Sequence, residues 1–110
     1  MTKRIFKYPV PIDDQQHDLP LRGEVVAVAH QPGDSHNVMV WAWHDDGPMG
    51  ADKQRRVLVV GTGHTVPWWA DHHYGAAIDP MGLVWHLVGM SLPTPPGLPP
   101  MPDQNPSEGL

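Results

Sequence analysis

The sequence contains no cysteine, and this absence excludes several kinds of protein at once. Without cysteine there is no disulfide scaffold, no thiolate nucleophile and no Cys-based zinc site, so histidine and carboxylate side chains are the remaining strong metal ligands. A chain of 110 residues has room for one domain with one core. Because no disulfide supports that domain, its stability must come from its apolar core or from an oligomer that enlarges the core.

Basic residues are few and scattered along the chain. Seven Lys and Arg against twelve Asp and Glu give a formal net charge of -5 with the histidines neutral. The basic residues are divided among the N-terminal segment, Arg22 and the Lys53–Arg56 cluster. A duplex binder needs a concentrated basic face, so we expect no nucleic-acid partner.

Long apolar runs are also missing. The longest apolar stretch, Val38–Trp43, is far shorter than the ~20 residues that span a bilayer. The first ten residues carry three basic side chains with no apolar run behind them, which is not the pattern of a signal peptide. We therefore expect a protein without a membrane partner, located in the cytoplasm of the cell that makes it.

Short β-type segments separated by turn residues dominate residues 1–90. Six strands are predicted, at Arg4–Val10, Glu24–His30, Asn37–His44, Arg55–Val60, Tyr74–Ile78 and Leu83–Met90. No segment has a convincing 3.6-residue apolar period. The pattern predicts an all-β fold, a small antiparallel meander of about six strands that forms a barrel or a two-layer sandwich.

Prolines and tryptophans refine this prediction. Pro9 and Pro11 cannot donate to a ladder on both sides, which predicts that the first strand lies at a sheet edge. Trp41, Trp43 and Trp85 alternate with other residues inside predicted strands, so we expect all three in the core.

The composition changes abruptly after Met90. Seven of the 14 prolines lie between Pro93 and Pro106, which divides the chain into a β domain at 1–90 and a Pro-rich tail at 91–110. Such a sequence favours extended conformers and buries too little to fold alone, so a disordered or extended tail is expected. The alternative is a partner-docking arm, because Pro93, Pro96 and Pro99 recur every three residues on one ridge.

The densest group of chemistry-bearing side chains runs from the GTGH motif at 61–64 to Tyr74 and continues on the last strand. The predicted binding residues are His64, Trp68, Trp69, His72, His73, Tyr74 and His86. Trp68 and Trp69 are adjacent in a loop, so at least one should be exposed and available as a contact hot spot. Adjacent His72 and His73 would point to opposite faces of a strand, and no compact ligand motif occurs. We therefore predict no metal site and no cofactor.

Other motifs do not predict catalysis. The Gly61-Thr62-Gly63 sequence has neither the lysine nor the following helix of a phosphate-binding loop, and predicts a turn or bulge at a strand end. The acidic pairs Asp13-Asp14 and Asp45-Asp46 are adjacent, so their carboxylates diverge instead of facing one gap. None of the three serines has a nucleophile-elbow context. No catalytic residue is predicted, and the chain is expected not to be an enzyme.

Four short motifs, taken in order, resemble a known family. The motifs that carry the resemblance are IFKYPVP at 5–11, GTGH at 61–64, the Tyr74-Gly75 pair and GLVWHL at 82–87. In these motifs the chain resembles a family of small bacteriophage-encoded proteins grouped as a domain of unknown function. The resemblance covers residues 3–89 and implies a short, β-rich, cytoplasmic protein. It supplies no catalytic residues. Small phage accessory proteins commonly bind a component of the host, and this is an analogy at the level of the family.

Three hypotheses follow. The first is a phage accessory protein that acts by binding a host protein or a small molecule through the GTGH–Tyr74 region. The second is a structural or interaction protein that acts through its Pro-rich arm. The third is a metal-dependent or nucleotide-processing enzyme that uses His64, His72 and His86. The identity of the partner and assembly into a homo-oligomer are left open.

Overall fold

Seven strands form two antiparallel sheets in the computed structural model, which describes residues 3–45, 54–95 and 97–102. The strands are β1 (Lys3–Pro11), β2 (His17–Leu19), β3 (Val25–Ala29), β4 (Asn37–Asp45), β5 (Arg55–Gly61), β6 (His72–Ile78) and β7 (Val84–Gly89). The first sheet has the order β1-β4-β3, and the second sheet has the order β2-β5-β7-β6. Two sheets that share one core confirm the prediction of an all-β sandwich.

The connectivity differs in detail from a simple meander. Among the paired strands, only β3–β4 and β6–β7 are consecutive in the chain. The connections β1–β2, β2–β3 and β4–β5 pass from one sheet to the other, and β5 and β6 lie in the same sheet with β7 between them. β6 begins at His72, two residues before the predicted start. β2 was not predicted, since its three residues are too few to show alternation. Within the part of the chain that the structure describes, no helix is long and apolar enough to cross a membrane.

The proline-containing first strand lies at a sheet edge, as predicted. β1 pairs with β4 alone among the described strands, and its register sets Pro9 opposite Met39 and Pro11 opposite Asn37. A proline can occupy such a strand because its missing N–H would face away from the ladder.

The sandwich core consists of β-branched and small residues from both sheets. Its buried members are Val10, Leu21, Val38, Val40, Ala42, Val57, Val59, Ala77 and Leu87. Trp85 packs against this cluster, as expected. The prediction that Trp43 belongs to the core is wrong, because its side chain is 43% exposed. The valine and alanine side of β4 faces the other sheet, which leaves Trp43 on the outer side.

The outer face of the second sheet carries a smaller apolar cluster. Leu58, Val60 and Val88 lie under Trp69, which is only 5% exposed. Trp69 reaches this position through a turn in which the Ala70 N–H donates to the Pro67 carbonyl oxygen at 3.1 Å. Its neighbour Trp68 is 42% exposed, so one of the two adjacent indoles is on the surface and the other covers the sheet.

The described part of the tail lies against the domain. The Thr94 N–H donates to the Gln54 carbonyl oxygen at 2.6 Å in an isolated β-bridge. Residues 97–102 then contact Gln16 and Arg56. Pro96 and residues 103–110 are outside the described residues, so the three-proline ridge is described only in part.

Candidate functional site

The structure distributes the predicted binding residues among three locations. The outer face of the second sheet holds His73 and His86, with His64 at the border of the same small pocket. His72 and Tyr74 line a different pocket, between the two sheets. Trp69 is buried over the second sheet and Trp68 is exposed, so the predicted single face is not one surface.

The two histidines that are adjacent in sequence point to opposite faces of β6, and a β-bulge follows them. His73 pairs with Val88 and Gly75 pairs with Leu87, which leaves Tyr74 as the extra residue. Alternation places Tyr74 against the sandwich core and His73 with His86 on the outer face. The extra residue then shifts the alternation, so that Ala77 faces the core. His72 lies beside Tyr74, with ring centroids 4.5 Å apart at 63°.

Thr62, His86 and His73 form a chain of hydrogen bonds on the outer face. Thr62 Oγ1 lies 2.9 Å from His86 Nε2, and His86 Nδ1 lies 2.9 Å from His73 Nε2. Two proton arrangements satisfy both contacts. In one, the Thr62 hydroxyl donates to His86 Nε2 and the His86 Nδ1–H donates to His73 Nε2; in the other, the His73 Nε2–H donates to His86 Nδ1 and the His86 Nε2–H donates to Thr62 Oγ1. The chain borders a pocket of about 210 Å³ whose apolar lining includes Val60 and Val88.

His64 does not join this chain through its ring. A Cβ atom built on Gly61 would lie 3.1 Å from His64 Cε1 and 3.3 Å from Trp85 Cζ3. The His64 imidazole therefore lies against the Gly61 backbone beside Trp85, and glycine at 61 leaves the space for it. His86, in contrast, extends toward Thr62 and His73.

The histidines do not assemble a metal centre. Across residues 3–45, 54–95 and 97–102, no group of three or more His, Asp or Glu side chains is placed to hold a metal ion. The outer-face chain brings together two imidazoles and one hydroxyl, and a structural zinc site needs four strong ligands.

A larger pocket opens between the two sheets, and we call it the inter-sheet groove. Its volume is about 480 Å³, and its lining residues are Gly23, Glu24, Val25, Arg55, His72, Tyr74 and Ser91. The Arg55 guanidinium carbon lies 5.8 Å from the centroid of the Tyr74 ring, within the range of a cation–π contact. A pocket of this size is in the range typical of small-molecule sites.

Burial and hydrogen bonds set the protonation of the groove. Burial raises the pKa of Tyr74 and the Arg55 charge opposes this, so the phenol is neutral at neutral pH. Asp71, at the edge of the groove, accepts hydrogen bonds from the Ser91 N–H at 2.8 Å and from the Ser91 hydroxyl at 3.0 Å. These bonds lower the pKa of Asp71, with the backbone bond the larger cause, and keep its carboxylate ionised and directed at Ser91.

A second pocket shares one wall with the inter-sheet groove. It has a volume of about 470 Å³ and is lined by Lys3, Arg22, Gly23, Glu24 and Trp43. The common wall is the Gly23–Glu24 segment, whose Glu24 carbonyl accepts a hydrogen bond from the Trp43 N–H at 3.0 Å. Sequence reasoning missed this basic and aromatic region, because Lys3, Arg22 and Arg55 are far apart in the chain.

Comparison with known proteins identifies a family but no characterised relative. A family model described as Domain of unknown function (DUF7352) matches residues 1–96. No curated protein and no solved structure gives a match. The matched region contains all seven strands, the three pockets described above and the Thr62–His86–His73 chain. The chain therefore belongs to the family described as domain of unknown function DUF7352.

Proposed function

We propose that this chain is a phage accessory protein that acts in the host cytoplasm by binding a small organic anion, without catalysis. The phage origin rests on the resemblance of its IFKYPVP, GTGH and GLVWHL motifs to small phage-encoded proteins. The ligand class rests on the inter-sheet groove. The single observation that carries it is the placement of Arg55 over Tyr74 in a pocket of about 480 Å³.

The groove offers two kinds of contact to a ligand. Arg55 supplies a guanidinium that pairs well with carboxylate or phosphate oxygens, and its buried Nε has no hydrogen-bond partner in the structure. Tyr74 and the exposed His72 supply flat rings beside it. A ligand that joins an anionic group to a planar ring matches both kinds of contact.

Glu24 adds a charge of the opposite sign to the groove wall. Its exposed carboxylate disfavours an anion through repulsion at short range. The groove therefore favours a ligand of low total charge. Removing the charge of Arg55 should weaken the binding of an anion, and removing the charge of Glu24 should strengthen it.

AMP is a suitable probe because it joins a phosphate to a planar base. We expect AMP to raise the melting temperature of the chain more than adenosine or inorganic phosphate does at equal concentration, since a ligand that binds only the folded state stabilises it. Arg55→Gln should weaken AMP binding about tenfold or more, because a charged hydrogen bond contributes about 1.5–3 kcal/mol. Glu24→Gln should tighten it. Isothermal titration calorimetry measures both changes.

Lys7→Gln is the matched control, because it removes one positive charge from the outer side of the first sheet. Lys7 donates to Gln31 Oε1 at 2.9 Å and does not line the groove. AMP binding that is absent, or that falls equally in Lys7→Gln and Arg55→Gln, would contradict the proposed site.

One observation favours an enzyme as a second candidate function. A hydroxyl within 2.9 Å of an imidazole that is itself held by a third group has the geometry of an activated nucleophile. In acyl transfer from an activated ester, Thr62 Oγ would bond to the carbonyl carbon and His86 Nε2 would take the hydroxyl proton. The alkoxide or phenolate leaves with its electron pair and takes that proton from His86. Water then attacks the acyl-threonine with His86 as base, and the proton that His86 removes from water passes to Thr62 Oγ as the acid leaves.

The substitution Thr62→Val tests this candidate with p-nitrophenyl acetate as substrate. If the chain is catalytic, Thr62→Val should remove most of the hydrolysis above the rate of free imidazole, and Thr65→Val, in the same exposed loop, should not. Mass spectrometry of the quenched reaction should find the acetyl group on Thr62. Equal rates for the two variants would eliminate the enzyme candidate and leave the binding proposal unaffected.

A further inference from the structure

The outer face of the second sheet holds residues 97–102, which we call the tail segment, through a buried arginine. Arg56 is 4% exposed, and its Nε and Nη2 donate to the Asp18 carboxylate at 2.9 and 3.0 Å. Its Nη1 donates to the Pro99 carbonyl oxygen at 2.6 Å, and its Nη2 also donates to the Leu98 carbonyl oxygen at 2.7 Å. One guanidinium, oriented by one carboxylate, therefore holds two successive backbone carbonyls of the tail segment.

Gln16 holds the next part of the tail segment by its backbone. The Gln16 Oε1 accepts a hydrogen bond from the Met101 N–H at 2.8 Å. The Gln16 side-chain amide also donates to the Met101 carbonyl oxygen. A side-chain amide that pairs with both polar groups of one residue acts as one rung of a β-ladder and recognises an extended backbone.

The apolar cluster on the same face receives one side chain of the tail segment. Met101 packs against the buried group that includes Leu58, Val88 and Trp69. Methionine fills irregular apolar surfaces well, because it is unbranched and flexible. The backbone contacts thus recognise an extended segment, and the Met101 pocket adds a preference for an apolar side chain at one position.

The pattern of donors and acceptors matches a proline-rich backbone. Pro99, Pro100 and Pro102 have no N–H, so the tail segment can offer mainly carbonyl oxygens. The surface supplies donors from Arg56 and Gln16 to three of those carbonyls, and one acceptor to the N–H of Met101. The N–H of Leu98 is already bonded to the Pro95 carbonyl at 3.2 Å.

We infer that this surface, formed by Gln16, Asp18, Arg56, Leu58 and Trp69 and named the tail groove, is a recognition site for extended proline-rich peptides. The tail segment is its resident ligand, and an external peptide of the same Leu-Pro-Pro-Met-Pro chemistry competes for the same contacts. The residues of the tail groove lie inside the family match at 1–96, and the tail segment lies beyond it. The tail groove is independent of the inter-sheet groove, which lies on the other side of the second sheet.

The experiment uses the full chain and a fluorescein-labelled peptide with the sequence of residues 97–102. A tethered ligand acts at a high effective concentration, so the peptide should bind the wild-type chain weakly. Met101→Glu replaces the side chain that packs on the apolar cluster and should free the tail groove. We expect the labelled peptide to bind Met101→Glu at least about tenfold more tightly than wild type by fluorescence anisotropy.

Two neighbouring glutamines give the matched control. In the Met101→Glu background, Gln16→Ala should weaken peptide binding because it removes both bonds to Met101, and Gln15→Ala should not, because the Gln15 side chain is exposed. If the wild-type chain forms a dimer and Met101→Glu does not, the result would support the tail groove as a recognition site. The peptide that it binds would then be the tail segment of a second copy. The inference is overturned if the peptide fails to bind Met101→Glu, or binds it equally with and without Gln16.

Discussion

Replacement of Trp69 by alanine is expected to lower the free energy of unfolding by about 3 kcal/mol or more. The indole covers Leu58, Val60 and Val88 on the outer face of the second sheet and is 5% exposed. Its removal leaves these apolar residues open to water. In a domain of this size the melting temperature should fall by about 10–20 °C. Urea unfolding followed by far-ultraviolet circular dichroism measures the change without depending on tryptophan fluorescence.

The adjacent Trp68 is the control for this prediction. It is 42% exposed, so Trp68→Ala should change the free energy of unfolding by about 0.5 kcal/mol or less. The two variants remove the same side chain at neighbouring positions and differ mainly in what the indole covers. Equal destabilisation by both would show that Trp69 does not cover the sheet as described.

Gly89→Ala is expected to destabilise the domain by about 3 kcal/mol or more, enough to unfold a large fraction of a marginally stable chain. A Cβ atom at this position would lie 2.9 Å from Val57 Cα and closer still to the Arg56 carbonyl oxygen. Both are backbone atoms of the paired strand β5, so no side-chain rotation can relieve the overlap. Thermal unfolding of the purified variant, or its loss from the soluble fraction, measures the effect.

Gly33→Ala is the comparison for Gly89→Ala, because Gly33 has open space around it and differs from other residues only in its backbone conformation. Gly33 has φ +88° and nothing within 4 Å of an added Cβ atom. Its substitution therefore costs only the backbone strain of a left-handed conformation, about 1 kcal/mol. If Gly33→Ala were as damaging as Gly89→Ala, the close approach of β7 to β5 would not explain the requirement for glycine at 89.

The strands that could be predicted are those whose residues alternate over a long run. The Asn37–Asp45 strand is nine residues long, and large side chains at 39, 41 and 43 alternate with smaller ones at 38, 40 and 42. Its existence and its two faces are therefore clear from sequence. Alternation does not say which face is buried, however. Trp43 has more apolar surface to bury than Val40, yet the valine side faces the second sheet because Val40 packs there with Val57 and Val59. Only the tertiary arrangement decides between the two faces.

The candidate sites could be predicted only in part. His72, His73, Tyr74 and His86 were recognised from residue type, and strand alternation separates His73 from His72 and Tyr74. Alternation does not reveal the bulge at Tyr74, nor that His73 meets His86 across the sheet. Arg55 was missed because its partner Tyr74 is distant in sequence. The contact of the tail segment with the domain could not be predicted either. Proline content predicts an extended chain, but it does not show that Arg56 of the domain donates hydrogen bonds to tail carbonyls.

Consecutive residues of β6 serve two different pockets, because His73 and Tyr74 point to opposite faces of the strand. A slip of one residue between His72 and Tyr74 would turn His73 away from His86 and, in the same movement, take the Tyr74 ring from beneath Arg55. One change of strand register would therefore disrupt both the hydrogen-bond chain on the outer face and the cation–π contact in the inter-sheet groove, even though the chemistry of the two surfaces is unrelated.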